Sequence, residues 1–190
     1  TNGLGRRQFL KSTTAAAALS GAPAILAQRN PNSVLGIASI GVGTRGIYLH
    51  QQVQECPNTE VRIICDLYDA NIERARKQNR HAGVKVMKDW EKAVTSPDID
   101  AVLIATPDFW HAKQAILAAK NKKHIYVEKG MCRTLDEAKG IRDAVQKNGV
   151  VLQLGHHQNS DPYYTKAREI FQSGQLGKVP LARTYIDRTN

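Results

Sequence analysis

Cysteine is scarce in this chain: Cys56, Cys65 and Cys132 are the only three among 190 residues, at no spacing that a metal site uses. The odd count argues against a disulfide framework. No run of about 20 apolar residues occurs, which excludes a protein that spans a membrane repeatedly. Internal repeats are absent, and the only low-complexity tract is a short alanine-rich stretch near the start. Acidic residues are also outnumbered, 17 against 27 lysines and arginines, for a formal charge of +10. Arg6, Arg7 and Lys11 supply three of those charges with no acid before residue 28, which leaves +7 for the rest. The remaining basic residues are scattered. Their tightest groups, Arg74 to Arg80 and Lys120 to Lys123, fall on helix faces or ends, so the expectation is a solvated surface and no nucleic-acid partner.

What is present is enough for a packed core. Hydrophobic residues make up 42% of the chain, which argues against disorder, and the length suits one domain or one domain with part of another. The first residues read as a targeting segment. Gly5-Arg6-Arg7-Gln8-Phe9-Leu10-Lys11 precedes a mildly apolar stretch from Thr13 to Leu19 and then Ala22-Pro23-Ala24. A charged start, a short apolar run and a small-residue cleavage site make a signal peptide over residues 1–27, cut after Ala24 or Ala27. The paired arginines point to twin-arginine export, and so to a periplasmic or extracellular protein with no stable membrane insertion after cleavage. A folded protein exported this way would carry its cofactor with it.

From residue 34 onward, strand and helix patterns alternate. Apolar runs at 34–40, 61–65, 84–86, 101–105, 124–127 and 150–154 predict six strands. Helices are predicted at 44–55, 70–81 and 89–94 and up to Lys120, where Ala112, Ala115, Ile116 and Ala119 share one face. Thr134-Leu135-Asp136-Glu137 is a capping box that opens a helix ending at Asn148-Gly149. Asp161-Pro162 starts another, which stops near Ser173-Gly174. Strict alternation implies a parallel sheet covered on both faces. A seventh strand is predicted over 179–186. A lone strand there would expose its edges, so the chain is expected to be a piece of a longer protein.

The chemistry gathers where strands end. Gly41-Val42-Gly43-Thr44-Arg45-Gly46 follows the first strand and opens a helix. In a G-x-G-x-x-G turn, one glycine makes the bend, one lets backbone approach a pyrophosphate, and one lets helix and strand pack closely. Asp66 ends the second strand 20 residues beyond Gly46, where a carboxylate accepts from adenosine ribose hydroxyls. Such an acid repels a 2′-phosphate, so NAD is favoured, while Arg45 leaves room for NADP. A second strand end, Ala105-Thr106-Pro107-Asp108-Phe109-Trp110-His111, can flank the cofactor. For His111, a packing role and a cofactor role weigh equally. A third, Val127-Glu128-Lys129-Gly130, puts a lysine at the cleft mouth, where it can share in proton transfer with a substrate hydroxyl. The competing reading is a strand-end ion pair between Glu128 and Lys129. Adjacent His156 and His157 invite a metal, but on a strand they would point to opposite faces with no third ligand, so no metal is expected.

Together, G-x-G-x-x-G with Asp66, the Ala-Thr-Pro-x-x-x-His loop and Val-Glu-Lys-Gly resemble the Gfo/Idh/MocA oxidoreductases, which include glucose–fructose oxidoreductase and inositol dehydrogenase. The resemblance covers residues 34–187. Family members have Glu-Lys-Pro where this chain has Gly130, and often arginines where it has Gln158 and Asn159. The resemblance implies a doubly wound Rossmann domain over 34–155 and the truncated start of an α+β substrate domain over 156–190. It further implies that Lys129 is catalytic and positioned by Glu128, and that Thr106, Pro107 and His111 line the cofactor. Gly41, Gly43, Thr44, Arg45, Gly46 and Asp66 complete the cofactor set. The implied activity is NAD(P)-dependent oxidation of a sugar, polyol or cyclitol hydroxyl by an enzyme that is a homo-oligomer when full length. The alternatives are an NAD-dependent glycosidase that recycles its cofactor internally and a non-catalytic nucleotide or sugar sensor.

Overall fold

The computed structural model describes residues 34–183. The expected signal segment and the last residues of the expected seventh strand lie outside them. Six strands form one parallel sheet: β1 Leu35–Ile40, β2 Thr59–Cys65, β3 Lys85–Met87, β4 Ala101–Ile104, β5 His124–Glu128 and β6 Leu152–Gly155. Their order across the sheet is β3-β2-β1-β4-β5-β6. The winding reverses beside β1: one branch runs outward through β2 and the other through β4. The C-terminal ends of β1 and β4 therefore part to leave a crevice, the usual ligand position in such sheets.

The helices are α1 Thr44–Glu55, α2 Asp69–Gln78, α3 Trp90–Thr95, α4 Asp108–Lys120, α5 Leu135–Asn148 and α6 Pro162–Gln172. Side-chain alternation along the strands feeds two cores. Ala38, Ile40, Val102 and Ile104 join Ala112, Ala115 and Ile141 on one face. Ile37, Val61, Ile64 and Leu103 join Leu49 and Ala75 on the other. Both faces of the sheet are thus covered, as strict alternation required. The alanine face of α4 is buried as predicted, and small side chains there let the helix lie close to the sheet.

Local signals also hold. Thr134 Oγ1 accepts from Glu137 N–H while the Glu137 carboxylate accepts from Thr134 N–H, closing the capping box. Gly149 ends α5 in the left-handed region, and Asp161 caps α6 with Pro162 at its first position. Some expectations shift, the second strand starting at Thr59 rather than residue 61. The helix expected to reach residue 81 ends at Gln78, where Asn79 adopts extended backbone and its side chain donates to Val61 and His81 carbonyls. The sixth strand starts at Leu152 rather than residue 150. Residues 179–183 form no strand, because a strand without a paired neighbour has no ladder to hold it. Among the described residues, no helix is long and apolar enough to cross a membrane.

Candidate active site

The glycine turn divides its labour by position. Gly41 has φ +79, and a Cβ there would stand 2.8–2.9 Å from the Ala105–Thr106 backbone. It therefore allows both the bend and the close approach of the β4 loop. At Gly46 a Cβ would fall 1.8 Å from the Gly41 carbonyl oxygen, so this residue lets α1 seat against the turn. Gly43 differs: its Cβ would meet only Asn71 Nδ2, at 3.9 Å. The space beside Gly43 is open. Gly43 is also the N-cap of α1, with no side chain capping that end and no acid in its first turn. Thr44 and Arg45 head the helix, so its first backbone N–H groups and partial positive charge face the crevice. An anion fits there without displacing any protein group, which is what a dinucleotide pyrophosphate requires.

Asp66 is fixed to this turn. Its Oδ2 accepts from Val42 N–H at 2.8 Å and from Asn71 Nδ2 at 3.3 Å, and its Oδ1 accepts from Tyr68 N–H at 2.9 Å. A carboxylate offers about four acceptor positions, so about one remains, on Oδ1, for a ribose hydroxyl. Arg74 braces the same region by donating to the Val42 carbonyl and to Asn71 Oδ1, both at 3.1 Å. Just behind Asp66, burial pushes the Cys65 thiol up to about 12, helped by the charges of Asp66 and Asp89.

Two clefts open along the C-terminal edge of the sheet. One, about 430 Å³, is bordered by Gly41, Gly43, Asp66, Thr106, Pro107 and Trp110. The other, about 470 Å³, is bordered by Arg45, Thr106, Asp108, Glu128, Lys129 and His157. Ala105 and Thr106 border both, so the clefts lie end to end across the β4 loop. Thr106 is held in place by donating through Oγ1 to buried Gln114 at 2.7 Å.

His111 stands behind this wall, not on it. It is 1% exposed, with Nε2 2.7 Å from the Thr106 carbonyl and Nδ1 2.8 Å from the Gly130 carbonyl. It joins the β4 loop to the β5 loop and borders neither cleft, so the expected lining role gives way to a bracing one. The Lys129–Gly130 peptide bond is cis.

Glu128 is 4% exposed and its partner is Arg45: the guanidinium Nε donates to Oε1 at 2.8 Å. Tyr126 O–H donates to the same oxygen at 3.4 Å, and Lys129 backbone N–H donates to Oε2 at 3.3 Å. Burial alone would make the Arg45 guanidinium easier to deprotonate, but the hydrogen bonds and charges of Glu128 and Tyr126 together outweigh it and raise the value. The Arg45 guanidinium borders the Lys129 cleft, whereas Asp66 borders the other. The competing reading, a Glu128–Lys129 ion pair, is not what forms among the described residues: Glu128 pairs with Arg45. Lys129 is exposed, and among the described residues its ammonium has no ion-pair or hydrogen-bond partner.

Sequence reasoning missed several neighbours. Trp90 and Trp110 lie with ring centroids 6.0 Å apart at the Asp66 cleft, and Asp108 and His157 border the other. Asp108 and Trp110 lie in the segment already read as flanking the cofactor, and Trp90 carried no signal in advance. His156 and His157 stand in the turn after β6 rather than on a strand, and among the described residues no cluster of three metal-ligating side chains forms.

Residues 35–156 match the oxidoreductase family described as an NAD-binding Rossmann fold, Gfo/Idh/MocA. Among relatives, the chain is 33% identical over 142 residues to scyllo-inositol 2-dehydrogenase (NAD(+)) of Bacillus subtilis strain 168, spanning 74% of this chain and 41% of that enzyme. It is 24% identical over 155 residues to an alpha-N-acetylgalactosaminidase of Bacteroides fragilis, spanning 78% and 36%. The fold superimposes on Lactobacillus casei scyllo-inositol dehydrogenase, solved with NAD(H) and scyllo-inositol, with a TM-score of 0.67 at 23% identity over 76% of this chain and 43% of that one. The chain spans about two fifths of the length of these relatives. With the glycine turn, Asp66 and the Lys129 cleft joined at one sheet edge, the chain belongs to the Gfo/Idh/MocA oxidoreductase family.

Proposed function

We propose that this chain is the cofactor half of an NAD-dependent oxidoreductase that oxidises a hydroxyl of a polyol, cyclitol or sugar. One observation carries the reading: the Lys129 amino group, without a partner among the described residues, borders a cleft that shares the Ala105–Thr106 wall with the cleft at the uncapped glycine-rich helix start. The glycine turn and the first turn of α1 would hold the pyrophosphate. Asp66 would take a ribose hydroxyl, and Thr106 and Pro107 would form the wall between the two ends of the dinucleotide. When bound, NAD supplies the hydride acceptor. Lys129 would do the complementary work: as a neutral amine it accepts the hydrogen bond of the substrate hydroxyl and takes that proton, becoming an ammonium, as the carbon–hydrogen bond breaks. Glu128 holds the backbone from which Lys129 projects. The rest of the substrate pocket would come from an α+β domain that begins near residue 156.

The test is Lys129→Met in the full-length protein, with NAD affinity measured by calorimetry and turnover by formation of reduced nicotinamide. Turnover should vanish while NAD still binds; turnover at the wild-type rate would remove Lys129 from the chemistry. Likeness to an alpha-N-acetylgalactosaminidase favours a second reading, in which oxidation and reduction occur on one sugar and a glycosidic bond is cleaved. Glycoside hydrolysis without net NADH would select it. Export belongs to the same proposal and is supported by Arg6-Arg7 before a short apolar stretch. Changing both to lysine should retain the protein in the cytoplasm on cell fractionation.

A further inference from the structure

Glu128 is a buried carboxylate one residue away from the lysine proposed to move a proton, and it would be the natural captor of that lysine's charge. Instead it is already engaged. Arg45 comes 83 residues earlier, from the glycine turn itself, and its Nε reaches Glu128 Oε1 at 2.8 Å. The guanidinium of Arg45 lies over the Tyr48 ring, with Cζ 5.3 Å from its centroid. Tyr126 donates to the same carboxylate oxygen. Gly155, at the end of β6, keeps the space open: a Cβ there would stand 2.6 Å from the Tyr126 hydroxyl and 3.0 Å from Glu128 Oε1. Residues of three elements, α1, β5 and β6, thus converge on one carboxylate, and the lysine side chain next to it is left out.

We infer that Arg45 is a positioning residue: by occupying Glu128 it keeps the Lys129 amino group out of an internal ion pair and available to the cleft. A bare carboxylate buried to this degree is costly and must take a cation. Without Arg45, the Lys129 side chain is the neighbour able to supply one. The arginine therefore links the cofactor turn to the proton-transfer residue and lets one loop govern both. This inference rests on the proposed role of Lys129, but its test does not read turnover.

The test is competitive acylation of Lys129 in the full-length protein at fixed pH, quantified by peptide mass spectrometry, alongside calorimetric NAD affinity. Arg45→Gln should slow Lys129 acylation roughly tenfold, the scale on which an adjacent carboxylate favours a charged amine. Arg45→Lys should restore most of the rate. The double variant Arg45→Gln/Glu128→Gln should restore it as well, because the captor is gone; loss through misfolding would not be rescued this way. NAD affinity should change less than acylation does. Unchanged acylation in Arg45→Gln would overturn the inference, as would slow acylation that persists in the double variant. If NAD affinity collapses while acylation stays at the wild-type rate, Arg45 is a cofactor ligand instead. Failure of Lys129→Met to affect turnover would refute the catalytic reading while leaving this ion-pair result intact.

Discussion

Alanine at Gly43 and alanine at Gly46 lie three residues apart in one turn and should fail in opposite ways. At Gly46 the added Cβ would stand 1.8 Å from the Gly41 carbonyl oxygen and 3.4 Å from Ala105 Cβ. Backbone cannot rotate out of the way as a side chain can, so α1 must lift off the turn. Overpacking of this kind costs about 1–3 kcal/mol, which lowers the melting temperature by roughly 2–12 °C in a domain of this size. At Gly43 the Cβ enters open space, and the backbone, at φ −67 and ψ −155, is extended. Alanine is the weaker N-cap by about 0.5 kcal/mol, but it lowers the entropy of the unfolded chain by a comparable 0.4–1 kcal/mol, a roughly offsetting gain. Stability should barely move. The same methyl group would stand where the pyrophosphate approaches, and a loss of about 1.5–3 kcal/mol in binding is roughly 10- to 100-fold in NAD affinity. Thermal melts and NAD calorimetry on both variants check this. Gly43→Ala binding NAD as the wild type does, or Gly46→Ala melting unchanged, would refute the division of labour.

Asp66→Asn keeps an acceptor for Val42 N–H but removes the charge, so the preference for NAD over NADP should narrow by about tenfold in paired titrations. Burial lowers the pKa of His50, which lies fully inside the fold with Nδ1 3.2 Å from Ser39 Oγ. The unfolded chain therefore takes up this proton first as pH falls. The contribution is intact above the ordinary histidine value of about 6.5 and is lost below it. His50→Gln should accordingly shrink the drop in urea midpoint between about pH 7 and pH 5. Cys65, buried and with its thiol pushed up to about 12, should resist iodoacetamide in the native protein, while exposed Cys56 reacts.

How much of this could be read from the residues alone follows the range of each signal. The capping box, the Asp161-Pro162 start and the alanine face of α4 are contacts within one or two turns, and all stand where periodicity placed them. The glycine turn and Asp66 were legible because their spacing encodes a fixed βαβ unit. The partner of Glu128 was not: sequence proximity suggested Lys129, and the fold supplied Arg45 from 83 residues away. The two readings of His111 stayed open for the same reason. Its two carbonyl partners, Thr106 and Gly130, come from different loops that only the β4–β5 pairing brings together. The strand expected at 179–186 had the right alternation, but the described part of it has no neighbour to pair with.

Hydrogen exchange on the full-length protein, with and without NAD, tests the central claim most directly. The account predicts slowed exchange in the turns after β1, β2, β4 and β5, at residues 41–46, 66–71, 105–108 and 129–130. Amides at the opposite edge of the sheet, around Asn58, Asp98 and Asn121, should exchange as before. Protection at that opposite edge, or none in the glycine turn and the Lys129 loop, would contradict the placement of the cofactor.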